Sequence, residues 1–293
     1  MCTSSDVALR HVVATVLSMQ LFACSSPEPS EPSEPSYVKI DDMEGTSGRI
    51  EWTPEDGEPD TLPGRWVSYA DKQCENLEPV PEWAPDGAWS YAELPEEHET
   101  MEGATSTHAA RLRTAAALEN TWGAGMGFQF SEPPLGSDAT RVTRPCTEGT
   151  QQDLDYPAVA VDLSRFSGLV LWGMARKAAG STRLLVQFQD VNTDPRGKVC
   201  PVAESTAECY NGFGVVLELG DEYTRYTVNF ADLTQDPTWG YRPEPSVMDR
   251  ERVYGLVFQM DTPGGACAPP IVCIPPPELS FDVWIDDLYF VER

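Results

Sequence analysis

Close to its C-terminus the chain reads FDVWIDDLYF (281–290), which places two adjacent acids, Asp286 and Asp287, inside an apolar, strand-forming run. Neighbours in a regular strand point to opposite faces, so one of the two carboxylates must face the apolar side. A buried charge is costly unless it is paired, and that acid therefore needs a partner. A second acidic stretch, VKIDDMEG (38–45), carries Asp41, Asp42 and Glu44 near the other end of the chain. Taken alone, acids at strand ends are solvated caps. A glycosidase pair would need two carboxylates across a cleft, and with 47 acids present such a pair arises by chance anywhere.

Other chemistries are poorly supplied. Besides His11 there are only His98 and His108, the former in an acidic segment. The chain contains no GxSxG, HExxH or Walker pattern, so no catalytic residue is assigned and a non-enzyme is expected. In WGAGMGF (122–128) the glycines Gly123, Gly125 and Gly127 alternate, whereas a dinucleotide fingerprint places its third glycine one residue later and a helix behind it. Glycines on one strand face make room for an aromatic ring or for close sheet packing. DVNTDPRG (190–197) imitates a calcium loop through Asp190, Asn192 and Asp194, but Pro195 and Pro201 stand where an EF-hand has glycine and glutamate. It reads as a polar turn.

The elements that must position these residues are short strands. In TRLLVQFQDV (182–191) Leu184, Val186 and Phe188 share one face, with Arg183, Gln187 and Gln189 on the other. EYTRYTVNF (222–230) sets Thr224, Tyr226, Val228 and Phe230 against Tyr223, Arg225, Thr227 and Asn229. Further strands are expected over 65–71, 124–130, 168–176, 212–219, 253–260 and 280–291, and 108–120 is assigned to strand because Arg111 and Arg113 alternate with Ala110, Leu112 and Thr114. Alternating strands with 26 prolines and 22 glycines describe an all-β antiparallel sandwich. Two polar stretches, 73–103 and 131–157, read as long loop insertions within one domain.

The N-terminus supplies an address. Arg10 and His11 precede an apolar run from Val12 to Ala23, too short to span a bilayer and suited to a signal peptide over 1–23. Leu21-Phe-Ala-Cys24 resembles a bacterial lipobox, which makes Cys24 the lipidated residue and the chain an exported protein anchored to an outer membrane or cell surface. Residues 24–36 repeat Pro, Ser and Glu with no large apolar side chain, a semi-rigid tether ahead of a single domain over 37–293. Six further cysteines, Cys74, Cys146, Cys200, Cys209, Cys267 and Cys273, suit an oxidising compartment. Cys200–Cys209 and Cys267–Cys273 would close short loops and leave Cys74–Cys146, although six cysteines allow fifteen pairings. A formal charge of −27 excludes a nucleic-acid partner, since phosphate binding needs a basic surface.

With VKIDDMEG at one end and FDVWIDDLYF at the other, the domain resembles the galactose-binding-like jelly-roll modules, in particular carbohydrate-binding modules of family 11 type. YTVNFADLTQDPTWGY (226–241) and VYGLVFQM (253–260) extend the likeness, which also reaches secreted myxobacterial-type lipoproteins. Met43 replaces the aromatic that follows the paired acids in those modules, and Asn211-Gly212 replaces an Asp-His pair that often follows the second cysteine in the lipoproteins. The resemblance implies a jelly-roll sandwich whose first and last strands meet at a structural calcium ion, held by Asp42, Glu44 and Asp286, with Asp41 and Asp287 in reserve and carbonyls of 45–48 completing the shell. It further implies a carbohydrate or envelope-polysaccharide partner, with a polar face of Gln187, Gln189, Arg225, Asn229 and Gln259 and a loop bearing Trp239 and Tyr241. Tyr241 matches a sugar-binding tyrosine of those modules, while Gly240 replaces the acid before it. The alternative is a scaffold lipoprotein of the same fold that binds no sugar.

Overall fold

Alternation of apolar and polar side chains decides most of the strands. The computed structural model describes residues 35–44, 49–52, 62–70, 77–78, 91–115, 124–130, 159–200, 209–260 and 280–293. The signal peptide, nearly all of the tether, the 131–157 insertion and Cys74, Cys146, Cys267 and Cys273 lie outside them. Among the described residues no helix is long and apolar enough to cross a membrane.

Two antiparallel sheets stack as a jelly-roll sandwich. The first, in order β11 (Thr224–Asn229), β8 (Phe166–Ala175), β13 (Asp282–Glu292), β6 (Thr105–Thr114) and β4 (Leu77–Glu78), also takes β1 (Tyr37–Asp41) against β13 and β5 (Ala92–Glu99) against β6. The second runs β10 (Phe213–Glu218), β9 (Arg183–Asp190), β12 (Val253–Met260), β7 (Ala124–Phe130), β3 (Leu62–Ala70), β2 (Arg49–Trp52). Leu184, Val186 and Phe188, the expected inward face of β9, are fully buried in the core with Phe128, Phe258, Leu171, Ile285 and Phe290. Trp66 lies among them, its ring 5.7 Å from Phe258 and 5.9 Å from Phe128. The alternating glycines work as expected at Gly125, where a Cβ would sit 2.5 Å from the Tyr69 hydroxyl and from the Phe258 carbonyl.

One expectation needs correction. The stretch 73–103 is not simply an inserted loop, because it contains β4 and β5. The apolar residues of β5, Ala92 and Leu94, pack against a second and smaller apolar cluster of Ala109, Met174 and Trp284. Those three residues alternate with core residues Ala110, Val283 and Ile285, so β5 covers the outer face of the first sheet. A surface strand rich in Glu, with Pro95 within it, has little apolar periodicity to betray it.

β13 organises the first sheet. β8 follows one of its edges, while the other is shared end to end: β6 pairs with Asp282–Ile285 and β1 with Leu288–Val291. Asp286 and Asp287 fall in the gap between those two partners.

Candidate functional site

Asp287 has φ 49° and the β13–β8 register slips between Asp286 and Tyr289, which marks a β-bulge. Ile285 and Leu288 both face the core, so the bulge takes the two intervening acids out of it together. The regular alternation expected of the strand breaks here. Neither acid points into the sandwich; both are fully buried beneath β5. Asp286 is level with Trp172 of β8, and His98 of β5 stacks over the same region, 4.8 Å from the Tyr223 ring and 6.3 Å from that of Trp172. His98 Nε2 stands 3.4 Å from Asp286 Oδ2 and 3.5 Å from Asp287 Oδ2. Burial pushes the Asp286 carboxyl up to about 8; a hydrogen bond from Ser106 opposes the shift, and the neighbouring Asp287 charge adds to it.

Glu44 closes the gap from the other side. Past Ala110 the edge of β6 has no β13 partner, and Glu44 takes over those donors. Its Oε1 accepts from the amides of Thr107 (2.7 Å) and His108 (2.9 Å), and its Oε2 from the Thr107 hydroxyl (2.6 Å). Ser106 Oγ lies 2.6 Å from Asp286 Oδ2 and 3.0 Å from Glu44 Oε1, so one hydroxyl proton serves two carboxylates. Although burial raises the Glu44 pKa, the Thr107, His108 and Ser106 donors outweigh it and hold the carboxyl at about 2 against an ordinary 4.5. A folded-state pKa below the unfolded one stabilises above the unfolded value and is lost as pH falls through the folded one. Acid unfolding should therefore steepen between about pH 4.5 and about pH 2. Glu44→Gln should flatten that limb in a pH series of thermal melts, and an unchanged limb would count against the role of these bonds.

Calcium takes roughly six to eight oxygens. The Glu44 oxygens are occupied by N–H and O–H donors, and Asp42 is half-exposed, bonded to Lys39 Nζ at 3.2 Å and to the Glu44 amide at 3.3 Å. Asp41, held in reserve, accepts from Trp66 Nε1 (2.7 Å), Tyr91 (2.8 Å) and the Met43 amide (2.9 Å). Glu44 and Asp286 meet at the Ser106 hydroxyl, whereas Asp42 is engaged by Lys39 and the Glu44 amide, and with the Glu44 oxygens already holding donors the three do not fit a calcium shell. Residues 45–48 lie outside the described residues. The group that does come together, with ligand atoms within 4.8 Å of one another, is His98, Asp286 and Asp287. Spacing in the sequence could not reveal His98, because β5 was hidden in an acidic stretch; a lone histidine there was the only signal.

The expected sugar face separates into parts. Gln187, Gln189 and Gln259 belong to the second sheet, whereas Arg225 and Asn229 lie on β11 of the first, so these five cannot line one surface. Arg225 bonds the Tyr37 hydroxyl at 2.8 Å and Asn229 bonds Asp232 at 3.0 Å. Gln187 and Gln189 are buried beneath the segment 210–212. Gln187 donates to the Gly212 carbonyl, and Gln189 to the Tyr210 carbonyl and to Gln187. They brace a loop rather than face solvent. A Cβ on Gly212 would lie 2.3 Å from the Phe188 carbonyl, so the histidine of the resembled lipoproteins has no room on this backbone. Gln259 accepts from Tyr69 at 3.4 Å.

Trp239 and Tyr241 share one loop, braced from below. Trp239 is 45% exposed, and Tyr241 lines a pocket of ≈ 460 Å³ with Gly240, Arg242, Pro243, Glu244 and Ser246. Asn211, fully buried, holds this loop from below: its amide donates to the carbonyls of Asp236 (2.9 Å) and Trp239 (2.6 Å) and accepts from the Asp236 amide (3.1 Å). Gln235 donates to the carbonyls of Asn211 (2.6 Å) and Tyr241 (3.2 Å). The Cys200–Cys209 disulfide forms as expected and leads directly into the bracing segment. The Asp190–Asp194 stretch is a polar turn, as read from its prolines: Asp190 accepts from Thr193 and Asn192, and Asp194 pairs with Arg196.

Several solved carbohydrate-binding modules are similar in structure. A family 11 module from Clostridium thermocellum, in complex with a β-1,3-1,4-mixed-linked tetrasaccharide, shares 8% identity over 88% of this chain and 96% of its own, with a TM-score of 0.42. The family 11 module of the cellulosomal cellulase Lic26A-Cel5E of the same organism gives 0.40 at 8% identity, covering 88% of this chain and 95% of that one. The family 30 module of its cellulosomal cellulase Cel9D-Cel44B gives 0.37 at 12% identity, covering 88% and 98%. No family model and no curated protein matches the chain. Likeness at these identities concerns the fold alone, and no site residue is carried over from it.

Proposed function

We propose that the chain is a carbohydrate-binding sandwich module without catalytic activity, exported, lipidated at Cys24 and held off the membrane by the 24–36 tether. The observation that carries the binding site is Trp239, a large aromatic left 45% exposed on a loop whose backbone is fixed by two buried amides. A rigid exposed indole stacks on a pyranose face, and the adjoining pocket offers Tyr241, Arg242 and Glu244 to hydroxyl groups. Gln187 and Gln189 act here as supports. A scaffold lipoprotein without sugar affinity is the second reading, favoured by the covered Gln187–Gln189 surface.

One experiment addresses both halves of the reading. The full chain is produced in a Gram-negative host and applied to a polysaccharide array that includes mixed-linked β-glucan, beside Cys24→Ser, Trp239→Ala and Tyr241→Ala. Cys24→Ser should leave the membrane fraction and keep its glycan binding. Each aromatic substitution should weaken binding by about tenfold or more, the scale of one lost stacking contact. An array silent for every glycan selects the scaffold, and membrane retention of Cys24→Ser removes the anchor.

A further inference from the structure

The calcium expected at the junction of first and last strands does not fit, yet the side chains assembled there still demand a partner. Asp287 has a side-chain exposure of 0%, and neither of its carboxylate oxygens has a hydrogen-bond partner. Both ring nitrogens of His98 lack one as well. Buried polar atoms are almost always satisfied, so this concentration of orphans in one spot is informative. The spacing is equally so. A tetrahedral ion with bonds of about 2.0–2.1 Å holds its ligands about 3.3–3.4 Å apart. His98 Nε2 lies 3.4 Å and 3.5 Å from the two carboxylates. A ligand set with one imidazole and two carboxylates suits zinc better than calcium, which wants a larger shell made of oxygens. Stacking on Tyr223, at an interplanar angle of 17°, fixes the plane of the imidazole.

We propose that His98, Asp286 and Asp287 form a binding site for a divalent cation of the zinc class, which pins β5 onto the bulge of β13. Its positive charge occupies the point where two buried carboxylates would otherwise repel each other. The bulge is what makes the site: in a regular strand only one of the adjacent acids could reach His98. A site of this kind is independent of sugar binding at the Trp239 loop.

The full chain, stripped with chelator and dialysed, is titrated separately with zinc chloride and calcium chloride. Bound metal is measured by elemental analysis after gel filtration, and stability by thermal melting. The wild-type chain should bind one more zinc than His98→Gln and melt at a higher temperature with zinc, while calcium at the same concentration changes neither. Asp287→Asn, nearly isosteric, should weaken zinc binding by about tenfold or more. Cobalt substitution should give visible absorption that His98→Gln lacks, which separates ligation from a general loss of stability. If Asp287→Asn does not fold, His98→Gln, checked by circular dichroism, decides alone. Equal zinc content in wild type and His98→Gln, or a calcium response that needs Asp286, overturns the assignment. So does the absence of saturable zinc binding, which would leave His98 beside the two acids without metal.

Discussion

Trp66→Ala is expected to lower the free energy of unfolding by about 3–5 kcal/mol, the cost of deleting a fully buried large aromatic side chain from a packed core. The indole is fully buried between Phe128 and Phe258, and it also donates from Nε1 to Asp41 at 2.7 Å. Trp66→Phe separates these contributions. It keeps most of the ring and removes the donor, leaving Asp41 with Tyr91 and the Met43 amide, so the loss should be about 1–2 kcal/mol. Urea unfolding of both variants measures the difference. If phenylalanine proves as damaging as alanine, the hydrogen bond to the end of β1 matters more than the packing. A loss below about 1 kcal/mol for alanine would be inconsistent with Trp66 as the centre of the core.

The second large effect should arise far from the core. Asn211→Ala removes both amide bonds to the carbonyls of Asp236 and Trp239 and the acceptor for the Asp236 amide. Stranding a fully buried backbone group costs about 1–3 kcal/mol, and because these three bonds are part-buried and can relax into solvent the total should be about 2–4 kcal/mol. Glycan affinity should fall as well, by about tenfold, although Asn211 is fully buried and does not line the pocket. Asn211→Asp provides the control. It keeps the acceptor for the Asp236 amide but turns two donors into repulsion against carbonyls, so it should be at least as damaging as alanine. Full glycan affinity in Asn211→Ala would mean that the Trp239 loop holds its shape without this brace.

These two residues also show what a linear reading reaches. Trp66 falls in a strand expected over 65–71, but Trp66, Val67 and Ser68 are all buried in succession, so packing rather than alternation makes Trp66 a centre of the core. Asn211 carries no such signal. As a short polar residue next to a glycine and two positions after a cysteine it reads as a substituted site residue, whereas the two residues it bonds, Asp236 and Trp239, lie 25 and 28 positions further along the chain. Strand period alone puts Gln187 and Gln189 on the outward face of β9. What covers an outward face is decided by loops, and loops follow no period.

The same division runs through the acidic motif. The sequence determined that FDVWIDDLYF is a buried strand and that an acid within it must have a partner, whereas its place beside the first strand was implied by the resemblance alone. Period-two patterning and the cost of a buried charge are enough for the first two conclusions. Tertiary structure decided the rest. A bulge between the end of β6 and the end of β1 turns both acids to the same side, and β5, a strand disguised by its glutamates, brings His98 over them. Glu44, which the resemblance sets beside Asp286, shares the Ser106 hydroxyl with it but is held chiefly by the backbone donors that the same gap leaves open. Local pattern fixes which face a residue takes; only the packing of distant segments fixes what it meets there.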